Sequence, residues 1–515
     1  MTITVDFGKK LLCSFLSQLC IHRMDGVSYV TAMNEATVSE YRYEQVAAKI
    51  SQLISRGTLR PGERIPSVRR ISRQEGVSIS TALQAYFLLE DRGLIEARPQ
   101  SGFYVRLQSR RLPPEPQIVF PPQSATKVGV GDLVASILRA GRNPDIVPLG
   151  VAAVSPELFP TAKLHRILAS VARRAGHQAN RYDFAPGNLE LRHQVARRSL
   201  DWGCSLSADD IVVTSGCTDA LNLCLRAVAG PGDVIAVESP TYFVVLTILE
   251  ALQMKALEVP TYPREGVCLD ELQAALDRRK VKACLFMTNF HNPMGSCIPD
   301  EKKKKLVEIL SQREIPLIED DIYGDLHYGM ARPKVAKAFD RKGMVLLCSS
   351  FSKTLAPGHR VGWTAPGRFR DPVERLKNIS TAGNAVLPQM MIAEFLKNGG
   401  YDHYLRHTRK AFLQQIQLTS RAISKYFPEG TKITRPSGGI VLWVELPESV
   451  NSLALYQAAI AKNISVAPGP IFSASQGYQN FIRVNCGNVW SERIEEALLI
   501  LGRLATELAN KRRSA

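Results

Sequence analysis

The sequence predicts a multi-domain protein, in which an N-terminal winged helix-turn-helix domain precedes an α/β domain with a smaller C-terminal α+β part. The length of 515 residues exceeds what one hydrophobic core usually organises. Residues 41–111 contain 13 Arg and Lys against 6 Asp and Glu, so this short region carries +7 of the formal net charge of +17. From about residue 128 onwards, short apolar runs alternate with helical patterns, which is typical of a mostly parallel sheet covered by helices.

The composition is that of an ordinary water-soluble protein, because 45% of the residues are hydrophobic and 22% are charged. The sequence has no run of about 18 apolar residues, so we expect no membrane span. The ten cysteines are scattered without a C-x-x-C pair, and several lie in apolar runs. This usage indicates reduced thiols in the cytoplasm and predicts neither a disulfide framework nor a metal site.

The first residues, 1–38, are expected to be a poorly ordered extension. Lys9 and Lys10 followed by the apolar stretch 11–21 have some features of a secretory signal. Polar residues interrupt that stretch, and no small-residue cleavage site follows it, so export is not favoured. Translation that starts at Met24 or Met33 is the alternative explanation of this region.

Residues 39–107 begin with the pattern of three helices. Apolar residues recur at helical spacing over 43–54, which predicts an amphipathic first helix. A second short helix opens at Pro66, because proline suits the first turn of a helix, and a glycine turn follows. Ser78 has the side chain of an N-cap and starts a third helix that runs to about residue 91.

Two apolar runs at 94–97 and 103–105 then predict the strands of a wing. Helix, turn, helix and wing within about 65 residues, together with the excess of arginine, indicate a domain that binds a double-stranded DNA operator. The third helix would enter the major groove, and the arginines and the wing would meet phosphates or groove edges. A three-helix protein-interaction module with solvated arginines is the alternative. The residues expected to contact DNA are Ser67, Arg69, Arg70, Ser78, Ser80, Thr81 and Gly102.

This region resembles the GntR-type bacterial regulators. The resemblance rests on four strings: Ile65-Pro66-Ser67-Val68-Arg69, Gly76-Val77-Ser78, Leu89-Glu90-Asp91-Arg92-Gly93-Leu94-Ile95 and Ser101-Gly102-Phe103-Tyr104-Val105. One departure is Gln100, where many members of that family have a wing glycine. A direct approach of the backbone to DNA is therefore less expected at that position.

Residues 108–127 contain five prolines and predict a semi-rigid, extended linker. Such a segment would reach about 60 Å if it were fully polyproline-like, at about 3.1 Å per residue. The linker is expected to separate the two domains without fusing them.

The domain predicted over 128–512 consists of a larger part to about residue 395 and a smaller part from about residue 396. Five apolar runs are the predicted strands of the larger part: 211–214, 234–238, 283–288, 317–320 and 345–348. The runs 440–446 and 481–485 are predicted strands of the smaller part. Because ligands bind beyond the carboxyl ends of parallel strands, we expect the functional site in the loops that follow the five runs.

The loop after the run 345–348 contains one lysine among potential phosphate donors. Lys353 follows Ser350 and Ser352 and precedes Arg360. An amine able to form an imine, beside hydroxyl and guanidinium donors for a phosphate, suits pyridoxal 5'-phosphate. Burial near Arg360 would lower the pKa of Lys353 and favour the neutral nucleophile. A surface loop with an ordinary lysine is the alternative for Lys353 taken alone.

Small residues at the start of a helix follow the run 211–214. Gly216, Cys217 and Thr218 would place free backbone amides at the positive end of a helix dipole, which is a site for an anion. Many strand-to-helix turns look similar, so an ordinary turn is the alternative.

The run 317–320 ends in a carboxylate that would lie at the end of a buried strand. A buried carboxylate is costly unless it meets a cation, and a protonated pyridine nitrogen is such a cation. The spacing Asp-x-x-Tyr favours Asp320 for the ring nitrogen and Tyr323 for the ring oxygen, with Asp321 as the competing carboxylate. Arg483, between apolar residues, would bind a carboxylate in a bidentate geometry, and a structural salt bridge is its alternative.

The string from Ser349 to Trp363 closely resembles the lysine segment of class I aminotransferases of fold type I, which depend on pyridoxal 5'-phosphate. The resemblance implies that Lys353 is the catalytic lysine that carries the cofactor, and that Arg483 holds the α-carboxylate of an amino acid. It also implies that Tyr242 stacks on the pyridine ring, although a core tyrosine would look the same.

Two further residues receive roles from this resemblance. Asn292 would hydrogen-bond the ring oxygen and contact the substrate, although turn chemistry alone would explain an Asn-Pro pair. Tyr182, in the string from Arg181 to Gly187, would reach the phosphate of a partner subunit, which implies a homodimer. Cys217 and Thr218 depart from the serine and glutamine that are frequent in the family, so their side-chain contacts are expected to differ while their amide contacts persist.

The order of a GntR-like domain, a proline-rich linker and an aminotransferase-like domain resembles the MocR-type regulators. The leading hypothesis is therefore a transcription regulator that binds pyridoxal 5'-phosphate and senses an amino acid or a vitamer. An active aminotransferase that acts on an amino acid and a 2-oxo acid, with an appended DNA-binding domain, is the second hypothesis. A degenerate binding module without a cofactor is the third.

Overall fold

A computed structural model describes residues 42–60, 62–91, 94–98, 101–105, 112–140 and 142–511. The extension predicted over 1–38 lies outside these residues, as do Gln100 of the wing and the first part of the predicted linker. The chain forms two compact units, with the division between residues 109 and 110.

The N-terminal unit contains three helices followed by a two-stranded hairpin. The elements are α1 (Arg42–Ser55), α2 (Val68–Gln74), α3 (Ile79–Asp91), β1 (Ile95–Arg98) and β2 (Gly102–Val105). The strands are antiparallel and pair Ile95 with Val105. This arrangement confirms the predicted winged helix-turn-helix.

The helices and the wing of this unit pack around one small core. Ala82, Tyr86 and Leu89 of α3 are fully buried, as the helical periodicity predicts. The Tyr86 hydroxyl donates to the carbonyl of Pro66 over 2.5 Å, and its ring meets Phe103 edge to face. These contacts fix α3 against both the loop before α2 and the wing.

The start of α2 differs from the prediction. Ser67 is the N-cap, and its side chain accepts a hydrogen bond from the Arg70 amide over 3.3 Å. Pro66 therefore lies before the cap and not in the first turn. The hydroxyl decides the boundary, because it supplies an acceptor for an amide that would otherwise lack a partner.

The second unit is an α/β structure with a large and a small sheet. Its helices are α4 (Gly131–Ala140), α5 (Thr161–Ala175), α6 (Leu189–Arg198), α7 (Cys217–Val228), α8 (Phe243–Ala251), α9 (Leu269–Arg278), α10 (Asp300–Gln312), α11 (Arg370–Thr381), α12 (Val386–Lys397), α13 (Gly400–Tyr426), α14 (Ser452–Ile460) and α15 (Glu492–Lys511). Its strands are β3 (Thr126–Lys127), β4 (Val147–Pro148), β5 (Val212–Thr214), β6 (Val234–Ser239), β7 (Lys255–Tyr262), β8 (Gly266–Val267), β9 (Val281–Phe286), β10 (Leu317–Asp320), β11 (Val345–Ser350), β12 (Gly362–Ala365), β13 (Lys432–Ile433), β14 (Val441–Glu445), β15 (Ile464–Ser465), β16 (Ala467–Pro468) and β17 (Phe481–Asn485).

The large sheet has the order β3-β7-β6-β9-β10-β11-β12-β5, with β8 beside β7. Strands β7, β6, β9, β10 and β11 are parallel to their neighbours in this run, whereas β12 is antiparallel to both β11 and β5. The five predicted strands are confirmed. Strands β3, β7, β8 and β12 of this sheet were not predicted from the apolar runs. Strand β12 is the return strand after the lysine loop, so the carboxyl end of β11 is tied to the amino end of β12.

The small sheet has the order β13-β14-β17-β16. Strands β14 and β17 are antiparallel and pair Trp443 with Arg483, which places Arg483 in the middle of a buried strand. Strand β15 pairs with β4 near the start of the unit, so the smaller part contacts a segment more than 300 positions away in the sequence.

The described part of the predicted linker, 112–127, lies against the second unit. The Ile433 amide donates to the carbonyl of Pro114 over 2.9 Å, and β3 pairs with β7. An extended, proline-rich backbone still has free carbonyl groups, and here these groups find partners on the sheets.

Three general features concern only the described residues. Their eight cysteines are free thiols. They contain no group of three or more His, Cys, Asp or Glu side chains placed to hold a metal ion. None of their helices combines the length and the apolar character needed to cross a membrane.

Candidate functional site

A cavity of about 100 Å³ lies where the carboxyl ends of β10 and β11 meet the start of α7. Both strands end at the same edge of the sheet because they are parallel. The lining residues are Cys217, Thr218, Leu221, Tyr242, Met287, Asn292, Asp320, Ile322, Tyr323, Ser350, Ser352, Lys353 and Arg360. Most residues that the sequence analysis assigned to a cofactor therefore lie around one space.

One end of the cavity is suited to an anion. Gly216 precedes α7 with φ +96°, and a Cβ at this position would overlap the guanidinium of Arg360. Arg360 donates to the Ser215 carbonyl over 3.0 Å and to the Ser352 hydroxyl over 3.2 Å. The Ser352 amide donates to the Ser350 hydroxyl over 3.1 Å. A helix N-terminus, a guanidinium and two hydroxyl groups thus converge, which is a favourable site for a phosphate.

Lys353 is held inside this cavity. Its Nζ donates to the carbonyl of Ala152 over 2.5 Å. Burial, then the positive charge of Arg483, lower the pKa of Lys353 to about 8, against the opposing effect of Asp320. A lysine with this pKa has a much larger neutral fraction near neutral pH than an ordinary lysine with a pKa near 10.4, and the neutral amine is the nucleophile.

Asp320 is the last residue of β10 and is almost completely buried. Its Oδ1 accepts hydrogen bonds from the Ile322 amide over 3.1 Å and from the Cys217 thiol over 3.3 Å. Burial raises the pKa of Asp320 to about 7, although these two donors act in the opposite direction. A cation placed beside this carboxylate would restore its charged form.

Asp321, the competing carboxylate, lies outside the cavity lining. It forms an ion pair with Arg332 and accepts from the Asn289 amide group over 2.8 Å. Asp321 follows the last residue of β10 and pairs with Arg332, so only Asp320 of the two carboxylates lines the cavity. This geometry favours Asp320 for the role predicted from the sequence.

Three polar side chains line the cavity near Lys353. Tyr323 and Asn292 are fully buried, and Tyr242 lies beside Phe243 with ring centroids 4.9 Å apart. Burial raises the pKa of Tyr242 to about 12 and also raises the pKa of Tyr323, so both hydroxyls are neutral donors at physiological pH. They could donate hydrogen bonds to an oxygen of a bound ring.

Arg483 is completely buried, yet it forms no ion pair with any described acidic residue. Its guanidinium donates to Asn292 Oδ1 over 3.1 Å and to the Gly150 carbonyl over 2.5 Å, while its Nε has no partner. Burial lowers the pKa of Arg483 to about 10. An uncompensated buried charge costs several kcal/mol, on the order of 3–5 when an ion pair is broken. The structural salt bridge considered as an alternative is therefore absent among the described residues, and Arg483 is suited to an incoming carboxylate.

Tyr182 is not part of the cavity within this chain. Its side chain is 77% exposed, and its ring stacks on the exposed ring of Phe184 with centroids 5.5 Å apart. The role predicted for Tyr182 requires a second subunit, so its position in one chain leaves that prediction open.

The N-terminal unit presents most of the residues predicted to contact DNA on α2 and on the first turn of α3. Ser67, Arg69, Arg70, Ser78, Ser80 and Gly102 are exposed, and Thr81 is partly buried. Ser78 is the N-cap of α3, because its Oγ accepts from the Thr81 amide over 3.1 Å. The same hydroxyl also hydrogen-bonds the hydroxyls of Ser80 and Thr81, so these three groups form one cluster.

Several residues of the DNA-binding surface and of the Lys353 cavity were not predicted from the sequence. Exposed Arg64 lies over the wing, where a Cβ on Gly102 would come within 3.2 Å of its Nε. The carbonyls of Gly150 and Ala152 hold Arg483 and Lys353. These partners are separated by 201 to 333 positions, so no local pattern indicates them.

The residues present fit pyridoxal 5'-phosphate. The anion cradle at Gly216 suits the phosphate, and the carboxylate of Asp320 in the same lining suits a cationic ring nitrogen. The orphaned Nε of buried Arg483 indicates a missing acceptor beside Lys353.

Comparisons with known proteins agree with this geometry. Residues 146–501 match the family described as "Aminotransferase class I and II", and residues 42–105 match "Bacterial regulatory proteins, gntR family". The chain therefore belongs to the class I and II aminotransferase family and carries a GntR-family domain at its N-terminus.

Individual relatives cover both units or the second unit alone. The chain is 40% identical to the "Uncharacterized HTH-type transcriptional regulator YdcR" of Escherichia coli K12 over 90% of this chain and 99% of that protein. The crystal structure of Pyrococcus horikoshii kynurenine aminotransferase, in complex with PMP, covers 73% of this chain and 94% of its own, with 30% identity and a TM-score of 0.68. The α-aminoadipate aminotransferase LysN of Thermus thermophilus, complexed with N-(5'-phosphopyridoxyl)-L-leucine, covers 74% and 100%, with 26% identity and a TM-score of 0.67.

Proposed function

We propose that the protein is a DNA-binding transcription regulator that uses pyridoxal 5'-phosphate to sense an amino-acid-like effector. The observation that carries the proposal is the unneutralised, buried guanidinium of Arg483 in the same site as Lys353, on a chain that also has a winged helix-turn-helix. A relative named as an HTH-type transcriptional regulator spans 90% of the chain and therefore both units, which supports a regulator.

Pyridoxal 5'-phosphate, when bound, supplies an aldehyde for amines and a ring that withdraws electrons. Lys353 is the amine placed to hold it covalently, and an incoming amino acid would compete for the same aldehyde. The cradle of Gly216, Ser352 and Arg360 would bind the phosphate, and Asp320 would keep the ring nitrogen protonated.

The effector class follows from the side chains that face the remaining space. Arg483 would bind an α-carboxylate, because its planar donors match a carboxylate and no described acidic side chain pairs with it. Asn292 orients Arg483 and would contact the same ligand. An amino acid satisfies both requirements, since its amine would reach the position of Lys353 while its carboxylate meets Arg483.

The DNA partner is a double-stranded operator. The first turn of α3 presents Ser78, Ser80 and Thr81, while Arg69 and Arg70 of α2 are exposed and available to phosphates. A recognition helix contacts base edges mainly through its N-terminal residues, with flanking basic residues on the backbone.

A homodimer is part of the proposal. The stacked rings of Tyr182 and Phe184 are 77% and 57% exposed in one chain, which is unusual for two adjacent aromatic side chains. A second copy would cover them and would bring Tyr182 towards the phosphate cradle of its partner. Two copies would also present two DNA-binding units, which suits an operator with two half-sites.

Transamination is the second candidate function, because Lys353, Asp320, Tyr323 and Asn292 line one cavity. One experiment separates the two functions. Amino acids are titrated into the full-length, cofactor-loaded protein while operator affinity and keto-acid release are recorded together, for wild type and Arg483→Ala. A coupling free energy of about 1–3 kcal/mol predicts a shift of about 5- to 150-fold in operator affinity in wild type.

The Arg483→Ala variant should lose this shift. Rapid keto-acid release without any change in operator affinity would contradict the regulator and favour the enzyme. Reciprocity supplies an internal check, since operator DNA must change effector affinity by the same factor.

A further inference from the structure

Residues 112–127, which we call the strap, cross the surface of the second unit from the small sheet to the large sheet. At the first end, the Ile433 amide of β13 donates to the carbonyl of Pro114 over 2.9 Å. At the other end, Thr126 and Lys127 of β3 pair with Ala256 and Lys255 of β7. The strap is therefore attached to both sheets.

Ionic and polar contacts fasten the strap between these ends. Glu115 Oε2 accepts from Arg264 Nε over 2.6 Å, and the Glu115 side chain is only 19% exposed. The Gln123 side chain donates to Glu271 over 2.7 Å and accepts from Arg278 of α9. The Arg264 side chain is 65% exposed, so solvent screens the pair, which fixes the position of the strap and contributes little to stability.

The anchor at Glu115 contacts the loop that carries Asn292. Arg264 is the partner of Glu115, and its backbone carbonyl accepts a hydrogen bond from the Cys297 amide over 2.9 Å. Cys297 ends the loop that starts at Asn289, and Asn292 in that loop holds Arg483 over 3.1 Å. A continuous series of contacts thus joins the strap to the guanidinium that faces the ligand.

The segment that follows the anchor at Pro114 contacts the same loop. Pro436 lies three positions after Ile433, and a Cβ on Gly295 would lie only 2.5 Å from Pro436 Cβ. Two residues further on, a Cβ on Gly438 would lie 2.6 Å from the ring of Phe290. The loop and the segment after β13 are therefore in direct contact, so a change in the position of one would alter the packing of the other.

We propose that the strap is the regulatory coupling element of this site. A carboxylate bound by Arg483 tightens the Asn292 loop, and the contacts at Pro114 and Glu115 transmit that change to the strap, which begins seven positions after β2 in the sequence. This inference rests on the proposed function, since it concerns the regulation of the same site. Its specific claim is that the Glu115–Arg264 pair is energetically linked to the occupancy of Arg483.

The test uses two probes and the full-length protein. Pyridoxal 5'-phosphate has no carboxylate for Arg483, whereas N-(5'-phosphopyridoxyl)-L-alanine presents one. Dissociation constants for both probes are measured for wild type, Glu115→Gln and Glu308→Gln, together with amide hydrogen exchange of residues 112–127. Glu308 is an exposed glutamate of α10 and serves as the matched control.

In wild type, the alanine adduct should slow exchange of the strap and of the Ile433 amide more than pyridoxal 5'-phosphate does. Glu115→Gln should weaken the adduct by about 5-fold or more, the lower end of typical coupling, and leave pyridoxal 5'-phosphate within about 2-fold. Arg264→Gln should have the same effect, and the exchanged pair Glu115→Arg with Arg264→Glu should recover part of it, which excludes simple misfolding. Glu308→Gln should resemble wild type.

Equal adduct affinity in wild type and Glu115→Gln, with unchanged exchange of the strap, would overturn the coupling and leave the proposed function intact. A wild-type protein that binds neither probe would instead overturn the proposed function, and the coupling with it.

Discussion

The Cys217 thiol donates a hydrogen bond to Oδ1 of Asp320 over 3.3 Å and joins the first residue of α7 to the last residue of β10. The contact connects the helix end that forms the anion cradle to the carboxylate proposed for the ring nitrogen. Burial raises the pKa of Asp320 to about 7, and the Cys217 thiol is one of the donors that limit this rise. Cys217 therefore helps to keep Asp320 ionised.

We expect Cys217→Ala to make cofactor binding more sensitive to pH. Loss of the donor should raise the pKa of Asp320 further, because the ionised carboxylate loses a hydrogen bond that stabilises it. A cationic ring nitrogen requires the ionised form, so affinity for pyridoxal 5'-phosphate should fall as the pH drops through the pKa of Asp320. In the variant this fall should begin at a higher pH than the wild-type value of about 7.

The measurement is a series of cofactor titrations between pH 5.5 and 8.5, chosen as roughly 1.5 units on either side of that pKa. Cys217→Ser retains a donor and should follow wild type. Identical pH profiles for wild type and Cys217→Ala would disprove the role assigned to this thiol.

Lys353 should react with pyridoxal 5'-phosphate in a pH-dependent way. Its pKa is lowered to about 8, so the neutral amine increases as the pH rises through 8 and the attachment rate should then reach a plateau. An ordinary lysine would still gain reactivity up to its usual pKa near 10.4. Borohydride reduction followed by peptide mass spectrometry locates the adduct, and Lys353→Ala should abolish it. An adduct on another lysine would show that the assignment is wrong.

Asp320→Asn and Asp321→Asn should affect different properties, although the residues are adjacent. The first should weaken cofactor binding, and the second should destabilise the fold. Asp321 is buried in an ion pair with Arg332, which also pairs with Asp325, so Asp321→Asn should destabilise the fold by about 1.5–3 kcal/mol, the value of one charged hydrogen bond. Asp320→Asn keeps the shape of the side chain and should leave the unfolding temperature nearly unchanged while it weakens cofactor binding. Thermal unfolding and cofactor titration of both variants check this. A large loss of stability in Asp320→Asn would contradict the proposed division of roles.

Arg69→Ala should weaken DNA binding by a similar factor for every operator sequence. It should also reduce the slope of log affinity against log salt concentration by about one unit, as expected for one lost phosphate contact. Ser80→Ala removes an uncharged side chain and is the comparison for Arg69→Ala. It should leave the salt slope unchanged and alter sequence preference by about 1–3 kcal/mol if Ser80 meets a base. Binding assays at several salt concentrations with operator variants distinguish the two.

Ser78→Ala requires a separate interpretation. Its hydroxyl caps α3 by accepting from the Thr81 amide, so the substitution should destabilise the N-terminal unit by about 1 kcal/mol. A loss of DNA binding in this variant would combine a stability effect with any lost contact. Thermal unfolding of the same protein separates the two, and an unchanged unfolding temperature would contradict the capping role.

Local sequence was sufficient for the strands that end at the cavity and for most of the residues that line it. The runs 317–320 and 345–348 are strands because their apolar residues are buried on both faces, and Ser78 starts a helix because its side chain caps the first turn. Parallel strands then bring their ends together, so residues after different strands lie around one cavity. The weakest local prediction was the start of α2, where a hydroxyl and a proline compete for the same boundary.

The sequence by itself determined that a lysine loop, an anion-binding turn and two adjacent carboxylates exist in this protein. Only the tertiary structure decided which carboxylate faces the cavity, because strand direction and sheet register orient Asp320 inwards and pair Asp321 with Arg332. The same holds for Arg483, whose partners Asn292 and Gly150 lie 191 and 333 positions away. Contacts at such separations depend on how the two sheets pack, and no periodicity within a short segment encodes that packing.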